Sequence, residues 1–318
     1  MAQRSAATAR SKPHPCRSSG SAGHPVPRLI RLLISLLMLG FIAERFGAGV
    51  LERLEQVDWR WLVAGLLITV AQVLLSAWRW RFTATRLGLS LRRGVAIREY
   101  YLATLINQVL PGGVVGDAQR AWRHSHDAPR RGPAFQAVVI ERFSGQLAMV
   151  GLALGVWGYW PPGKALTLPD GWLSGAVAVI GGAGTIIVAL ALISGRRPHW
   201  LIDWWQALRY ALLAPRVLPV QLIASIVVAI SYIGVYACCV LSLGPESSPG
   251  TWLPLIPLVL FAMLIPASIA GWGLREGAAA VLWPLAGLPV AEGVSAAVLY
   301  GALSLVASTP GLITLLRR

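Results

Sequence analysis

Long apolar runs separated by short arginine-rich segments occupy most of this chain. Runs of about 20 apolar residues match the length of an α-helix that crosses the hydrocarbon core of a membrane. The pattern predicts six such spanning helices, at about residues 29–46, 61–78, 135–157, 172–194, 218–243 and 290–316. The predicted fold class is therefore an all-α integral membrane protein.

Two further apolar stretches, 97–115 and 253–283, contain the same interruption. Each has a Pro, a Gly five positions later and an Arg nine positions later, namely Pro111, Gly116 and Arg120, then Pro266, Gly271 and Arg275. Pro and Gly break helices, and a charged side chain inside a membrane is costly. We therefore predict re-entrant hairpins at these two places rather than complete crossings.

The positions of the basic residues indicate how the chain enters the membrane, because short cytoplasmic loops are enriched in Arg and Lys. A cytoplasmic N-terminus places 22 of the 28 basic residues inside, including a group that begins at Arg79 after the second span. This count requires the first hairpin to begin and end on the cytoplasmic side and the second to begin and end outside. The two hairpins then enter from opposite faces, and both termini are cytoplasmic.

The order of elements repeats along the chain. Residues 1–28 form a basic leader that we expect to be disordered, and residues 29–318 form one membrane domain. Within it, span, span, hairpin and span occur twice, at about 29–160 and about 172–318. Pro111 and Pro266 are 155 residues apart, and the spans that follow them begin near 135 and 290. This spacing predicts an inverted-topology repeat, which is typical of transporters.

Composition supports membrane insertion and argues against nucleic-acid binding. Hydrophobic residues make up 56% of the chain and charged residues 13%, about half the charge of a soluble domain. The net charge of +15 lies in the segments between apolar runs and has no nucleic-acid-binding signature. We therefore expect no nucleic-acid partner.

The segment 196–216, which contains Trp200, Trp204 and Trp205, predicts a short amphipathic helix in the membrane plane.

No residue pattern indicates catalysis, a metal or a cofactor. Cys16 lies in the leader, and Cys238 and Cys239 are neighbours in an apolar run, so no disulfide framework is expected. His124 and His126 have the spacing of a ligand pair, but a solvated loop is the simpler interpretation. The sequence has neither a nucleotide-binding loop nor a metal-holding acidic cluster. The chain is therefore not expected to be an enzyme, and any transport must follow a gradient or consumption of the product.

The first interruption has the chemistry of an anion site. Small residues let the backbone approach a head group, and a helix that restarts after the break presents free N–H groups to an anion. Arg120 would add bidentate contacts to a phosphate, while Asp117 would hold that Arg or bind an amine. Asp117 and Arg120 also lie three apart on one helical face, so a structural pair that anchors the hairpin is the alternative. Asn107, Gln108 and Ser268 would satisfy backbone groups at the breaks or contact lipid head groups.

The second interruption places Arg275 and Glu276 directly after its glycines. Arg275 requires a carboxylate, a water-filled cavity or an anionic ligand at this depth. Glu141 and Arg142 begin a spanning segment, and a crossed pairing of Glu141 with Arg275 and of Arg142 with Glu276 would close a site between the repeats. The candidate substrate-binding residues are Asn107, Pro111, Gly112, Gly113, Gly116, Asp117, Arg120, Glu141, Arg142, Pro266, Ser268, Gly271, Gly273, Arg275 and Glu276.

Three motifs carry a family resemblance. Residues 107–120, the Glu141-Arg142 pair and residues 265–277 resemble the transmembrane region of lysylphosphatidylglycerol synthases, the flippase-like integral membrane family. The resemblance implies a multi-pass bacterial-type inner-membrane protein, in some relatives a flippase that moves aminoacylated phosphatidylglycerol between leaflets. Bifunctional relatives add a soluble aminoacyltransferase domain. This sequence ends at Arg318 directly after its last span, so synthase activity is not expected.

The sequence leaves two functions open. The first is a flippase for a membrane lipid that has an anionic phosphate head group, such as a phosphatidylglycerol derivative or a polyprenyl-phosphate-linked sugar. The second is a membrane subunit that binds or presents a lipid to a separate glycosyl- or aminoacyltransferase without moving it. An integral membrane enzyme that acts on the lipid itself is a weaker third hypothesis. Neither the lipid nor the oligomeric state follows from the sequence.

Overall fold

Helices account for nearly all of the structure, a computed structural model. Apart from isolated positions before residue 52, it describes residues 52–55, 57–110, 113–126, 131–159, 199–263 and 271–316. The helices are α1 (Trp59–Arg86), α2 (Arg93–Val109), α3 (Val115–His126), α4 (Arg131–Tyr159), α5 (His199–Leu208), α6 (Leu218–Ser242), α7 (Pro249–Trp252), α8 (Leu255–Ala262), α9 (Leu274–Leu285), α10 (Val290–Ser308) and α11 (Pro310–Leu316). A single π-helical turn, Arg209–Leu213, follows α5.

Four helical segments in the described part of the chain are long and apolar enough to cross a membrane. They are Trp59–Arg86, Gly132–Gly155, Leu218–Ser242 and Val290–Leu316, the last of which combines α10 and α11. These segments confirm four of the six predicted spans as long apolar helices. The predicted spans at 29–46 and 172–194 lie outside the described residues, apart from isolated positions in the first, as does the leader at 1–28.

Helix α1 shows how local sequence sets the ends of a span. Asp58 caps its start by accepting a hydrogen bond from the Arg60 N–H at 3.0 Å. Its end is set by Leu87 and by Gly88, whose φ of +77° favours glycine. Only a third of its most apolar window is buried in the protein, and Leu67 is 65% exposed. The rest of this surface suits contact with lipid chains.

The same helix corrects one sequence prediction. The charge count assigns Arg79 to a cytoplasmic loop, but α1 continues to Arg86, and Arg79 is only 1% exposed within it. Its guanidinium binds groups of α4 inside the helix bundle, which compensates for its burial. The assignment of this arginine to the loop is therefore wrong.

Each predicted interruption separates two short helices that pack against each other. The first pair is α2 with α3, and the second is α8 with α9. Gly113, with a φ of +60°, precedes α3, and Gly273, with a φ of +84°, precedes α9. Both glycines adopt the left-handed backbone that a residue with a Cβ rarely takes. The Pro111-Gly112 and Pro266 to Ser268 segments lie outside the described residues.

The two halves of the bundle have matching contacts. Helices α1, α2, α3 and α4 correspond in order to α6, α8, α9 and α10. Helix α4 contacts α1, α3 and α8, and its counterpart α10 contacts α6, α9 and α2. The most extensive contact joins the counterparts α1 and α6. Among the described helices, these contacts therefore match when the two halves are exchanged.

The number of residues that separates the two halves differs when it is measured between helix starts and between the motif arginines. Helices α1 and α3 begin at residues 59 and 115, and their counterparts α6 and α9 begin at 218 and 274, which is 159 residues later in both cases. The motif arginines Arg120 and Arg275 are only 155 apart. Arg120 is consequently the sixth residue of its helix and Arg275 the second, a difference of about one helical turn.

The amphipathic segment and the His124-His126 pair both lie in helices. Helix α5 confirms the predicted short helix, and Trp205 on it is 60% exposed. His124 and His126 lie in the last turn of α3 rather than in a loop. His124 is buried, with its ring centroid 5.7 Å from that of Trp80, so the prediction of a solvated loop is wrong. Cys238 and Cys239 are free thiols, both buried in α6.

Candidate functional site

A buried ionic cluster surrounds Arg120, which is 1% exposed. Its Nε lies 3.0 Å from Asp117 Oδ1, and its Nη2 lies 2.6 Å from Glu141 Oε2. The guanidinium carbon lies 4.8 Å from the ring centroid of Trp80 and 4.5 Å from that of Tyr100. Two carboxylates and two aromatic rings therefore hold one cation, and they join α3 to α1, α2 and α4.

Arg79 extends the cluster through Glu141. Its Nη2 donates to the Glu141 carbonyl oxygen and to Ser144 Oγ, both at 2.8 Å, and lies 3.8 Å from Glu141 Oε1. The Tyr100 hydroxyl donates to the same Oε1 at 3.4 Å. Glu141 thus connects three helices, because its backbone and side chain accept groups from α1, α2 and α3.

Asn107 joins the two helices of the first pair. Its Oδ1 accepts a hydrogen bond from the Gly116 N–H at 2.8 Å, and its Nδ2 donates to Asp117 Oδ2 at 3.0 Å. This confirms the prediction that Asn107 satisfies a backbone group freed at the break. Gly116 lies so close to Ala103 that a Cβ at this position would overlap the Ala103 backbone. Helices α2 and α3 therefore pack at nearly the closest approach that two backbones allow.

Arg142 is the most exposed member of the cluster. Its Nη2 lies 2.7 Å from Asp117 Oδ2, while its side chain is 36% exposed. The side chains of Arg79, Arg120 and Glu141 are each at most 3% exposed. Arg142 is therefore the cation of this group that retains open surface, and Asp117 links it to the buried part.

A second ionic pair lies in the other half, between neighbouring residues. Arg275 Nε donates to Glu276 Oε1 at 3.1 Å, and Glu276 Oε2 accepts the Gly273 N–H at 2.6 Å. The Arg275 guanidinium carbon lies 5.0 Å from the Trp272 ring centroid and 5.2 Å from that of Tyr300. Both charged side chains are nearly inaccessible, at 1% and 0% exposed.

The crossed pairing predicted from the sequence is wrong. Glu141 pairs with Arg120 and Arg142 pairs with Asp117, while Arg275 pairs with Glu276. The physical reason is local. Asp117 in the first turn of α3 lies beside Arg120, and Glu276 in the first turn of α9 lies beside Arg275. Neither arginine therefore needs a carboxylate from the other half.

A cavity of about 590 Å³ lies between the two halves. Its walls come from α1, α2, α3 and α4 on one side and from α6, α8 and α10 on the other. The charged lining residues all belong to the first half, and they are Arg79, Asp117, Glu141 and Arg142. The second half contributes Tyr300 to the lining. The volume lies within the range of sites that bind small molecules or head groups.

This arrangement of helices, motifs and cavity can be compared with known proteins. The family model described as the lysylphosphatidylglycerol synthase TM region matches residues 28–311, nearly the whole chain. The chain belongs to this family. Neither the curated proteins nor the solved structures include a match. Membership in the lysylphosphatidylglycerol synthase TM region family, together with the four apolar helices, makes the chain a multi-pass membrane protein related to lipid modification.

The candidate residues of this family member fall into three groups. The cavity lining contains Asn107, Gly113, Asp117, Glu141, Arg142 and Gly271. Gly116, Arg120, Gly273, Arg275 and Glu276 are described but do not belong to the lining. The remaining candidates, Pro111, Gly112, Pro266 and Ser268, lie outside the described residues. Both arginines of the paired motif thus lie behind the wall, and the structure gives Arg120 the anchoring contacts that the sequence left as one alternative.

Sequence reasoning missed Arg79, Trp80 and Tyr100 of this family member. An arginine at the end of an apolar run resembles the start of a basic loop, so the charge count places Arg79 there. Gly88 could have prevented this error. A glycine commonly lies just past the end of a helix, so Gly88 predicts that α1 ends near residue 86 and that Arg79 lies about two turns inside it. Trp80 and Tyr100 carry no signal of their own, since Trp and Tyr are common near the ends of membrane helices.

Gly301 provides a test of the second arginine's packing in this protein. A Cβ at Gly301 would overlap the Arg275 guanidinium and lie 2.7 Å from the Trp272 ring. We expect Gly301→Ala to lower stability by about 1–3 kcal/mol, because side chains rather than backbone must move. Thermal unfolding in detergent, followed by Trp fluorescence, measures this effect. The control is Gly234→Ala in α6, where the nearest side chain, that of Ile68, lies 3.9 Å from the new Cβ, and no loss is expected there. Equal stability of the two variants would contradict this packing.

Proposed function

We propose that this protein is a flippase that moves an anionic lipid, or a lipid-linked intermediate with a phosphate head group, between membrane leaflets. The observation that supports this proposal best is the cavity between the two matching halves, with Arg142 and Asp117 in its wall. A partly exposed arginine inside a membrane requires water or an anionic group beside it. A lipid phosphate supplies such a group.

The proposed topology has six spans and two re-entrant hairpins. Helices of 17 and 12 residues, such as α2 and α3, are about 26 and 18 Å long and fall short of a hydrocarbon core of about 30 Å. Their close packing favours a hairpin that inserts and returns on one face. The exchange of contacts between halves supports an inverted repeat, in which the second pair, α8 with α9, enters from the opposite face.

Transport would proceed by rocking of the two halves around the bound head group. The contact of α1 with α6 joins the halves at their first matching helices and would serve as the pivot. The head group would remain in the cavity while its acyl or prenyl chains stay in the lipid phase. In this proposal the protein is a transporter of the bacterial-type inner membrane rather than an enzyme, and its termini are cytoplasmic.

A transport assay tests this function. The full chain is reconstituted in liposomes that contain fluorescent phosphatidylglycerol, and a membrane-impermeant quencher reports the lipid in the outer leaflet. We expect Arg142→Gln to slow exchange between leaflets about tenfold or more, since a charge-assisted contact contributes about 1.5–3 kcal/mol. Its melting temperature is expected to fall much less than that of Arg120→Ala, because the Arg142 side chain is 36% exposed and Asp117 keeps Arg120 and Asn107 beside it.

The matched control is Arg98→Gln, which removes an exposed arginine from α2, away from the cavity lining. Its exchange rate is expected to equal that of the wild type. Wild-type protein that fails to accelerate exchange of any phosphate-bearing lipid would disprove the flippase proposal. Tight lipid binding without exchange would instead favour a subunit that presents lipid to a separate transferase.

A further inference from the structure

A second, smaller pocket lies at the ends of two membrane helices. It has a volume of about 370 Å³, and its lining consists of Arg86, Tyr210, Ala214, Pro215, Arg216 and Val217. Arg86 is the last residue of α1, and Arg216 and Val217 directly precede α6. This lining shares no described residue with that of the cavity between the halves. The small pocket is therefore a separate site.

The charged residues of the small pocket are two arginines. Arg86 and Arg216 are both exposed, and neither forms an ion pair within the described part of the chain. By contrast, Arg79 and Arg142 of the large cavity lie 3.8 and 2.7 Å from carboxylate oxygens. The small pocket therefore carries two positive charges that no carboxylate of its lining balances.

An aromatic surface on α1 leads from the small pocket towards the middle of the membrane. The rings of Trp78 and Phe82 are stacked with centroids 5.4 Å apart, and the Arg86 guanidinium carbon lies 5.1 Å from the Phe82 centroid. These residues are four apart, so they follow one face of the helix for about 12 Å. Trp78 is 40% exposed on a membrane-spanning helix. An apolar chain can therefore lie along this face beside the pocket.

Gln221 connects the three segments that form the small pocket. Its side chain on α6 is 1% exposed, and its Nε2 donates to Thr83 Oγ1 of α1 at 2.8 Å and to the Ala211 carbonyl oxygen at 3.3 Å. Ala211 belongs to the π-helical turn that also contains Tyr210. Such turns occur frequently at functional sites. These hydrogen bonds hold the end of α1, the turn and the start of α6 together.

The side chains around the small pocket are typical of the boundary between lipid and water. Tyr210 is 64% exposed, and Trp205 on the amphipathic helix α5 is 60% exposed. Trp and Tyr are enriched at this boundary, where phospholipid head groups lie. The single carboxylate of residues 196–216 is that of Asp203, which is exposed on α5 and does not line the pocket. The surroundings therefore favour a lipid over a solute from the aqueous phase.

From these features we infer that the small pocket binds an anionic phospholipid that stays with the protein as a resident lipid. Its phosphate lies between Arg86 and Arg216, and one acyl chain follows Phe82 and Trp78. A zwitterionic head group would bring an ammonium group to a pocket whose lining offers it no carboxylate. A free phosphate ion would not contact the aromatic face. The lipid joins the end of α1 to the start of α6, and it stabilises the folded protein by binding to it.

Native mass spectrometry of the full chain tests this inference. Protein in detergent is titrated with dioleoylphosphatidylglycerol, dioleoylphosphatidylcholine or inorganic phosphate, and the bound molecules are counted. We expect phosphatidylglycerol to bind about tenfold more tightly than phosphatidylcholine, and inorganic phosphate to leave no bound species. A double variant, Arg86→Gln with Arg216→Gln, should bind phosphatidylglycerol at this site about tenfold or more weakly than the wild type. Each basic residue near a membrane surface strengthens the binding of anionic lipid about fivefold.

The matched control is Arg92→Gln with Arg93→Gln, which removes two exposed arginines at the start of α2 that line neither pocket. This control should bind as much phosphatidylglycerol as the wild type, and added phosphatidylglycerol should raise its Tm equally. The double variant of Arg86 and Arg216 should lose most of that rise in Tm. Equal binding by this double variant and the wild type would overturn the inference. Equal losses in both double variants would also overturn it, because they would show a general effect of charge.

The cavity variant Arg142→Gln separates this inference from the flippase proposal. Arg142 does not line the small pocket, so the variant should keep the resident lipid. A wild-type protein that exchanges no lipid but binds phosphatidylglycerol through Arg86 and Arg216 would reject the flippase proposal and support the resident lipid. A bound lipid that is lost from Arg142→Gln and kept by the double variant would lie in the large cavity and would overturn the inference.

Discussion

Alanine in place of Gly116 is expected to destabilise the protein more than any other single methyl group added at a described glycine. The new Cβ would overlap the carbonyl oxygen of Ala103, with the Ala103 Cα only 2.8 Å away. Backbone atoms have little freedom to move, so α2 and α3 must separate and lose the Asn107 contacts. We expect a loss of about 3 kcal/mol or more, visible as a fall in Tm of about 8 °C or more.

The control for Gly116→Ala is Gly151→Ala in α4. Gly151 is an exposed helical glycine, and a Cβ added to it would have no neighbouring atom within 4 Å, so alanine should leave Tm unchanged or raise it slightly. Both variants are followed by Trp fluorescence in the same detergent. If Gly116→Ala melts at the wild-type temperature, the close packing of α2 and α3 is wrong.

Removal of the Arg120 side chain is expected to have the second large effect. Arg120→Ala would leave Asp117 and Glu141 buried with less positive charge and would remove the cation between the Trp80 and Tyr100 rings. Breaking a buried ionic cluster from one side costs about 3–5 kcal/mol. We therefore expect a large fall in Tm and a low yield of folded protein, measured by size-exclusion chromatography in detergent.

Arg98→Ala is the matched control for Arg120→Ala, because it removes an exposed arginine from the neighbouring helix. Its stability is expected to differ from that of the wild type by less than about 0.5 kcal/mol. The comparison with Arg142→Gln is also informative. Arg120→Ala should lower stability, whereas Arg142→Gln should lower lipid exchange. A stable Arg120→Ala variant that has lost only exchange would contradict the anchoring role and place Arg120 at the substrate.

The spans and the breaks were predictable from sequence because both are local properties. An apolar run of about 20 residues has few alternatives to a membrane helix, and all four predicted spans in the described ranges are long apolar helices. The polar Asn107 indicated a hydrogen bond to a backbone group freed at the break, whereas the small residues were predicted to let a head group approach, and Gly116 instead packs against the Ala103 backbone. The structure contains that bond, from the Gly116 N–H to Asn107 Oδ1.

The partners of the charged side chains were not predictable in the same way. Pairing depends on distances between helices, and sequence spacing fixes distances only within one helix. The local pair of Asp117 with Arg120, one of the two alternatives that the sequence left open, is therefore present, while the crossed pairing of Glu141 with Arg275 was wrong. Arg79 was missed for the related reason that its partners, Glu141 and Ser144, lie more than 60 residues away.

The one-turn difference between the two motif arginines has a consequence for energetics. Two identical halves would make the inward-open and outward-open forms equivalent by symmetry, with equal free energy. Here Arg120 is the sixth residue of its helix, with two carboxylates beside it, and Arg275 is the second residue of its helix, with one. In the proposed flippase, halves that differ in this way would give the two forms unequal free energies, so the empty protein would favour one of them. Such a bias would let the proposed flippase wait with its binding site towards one leaflet.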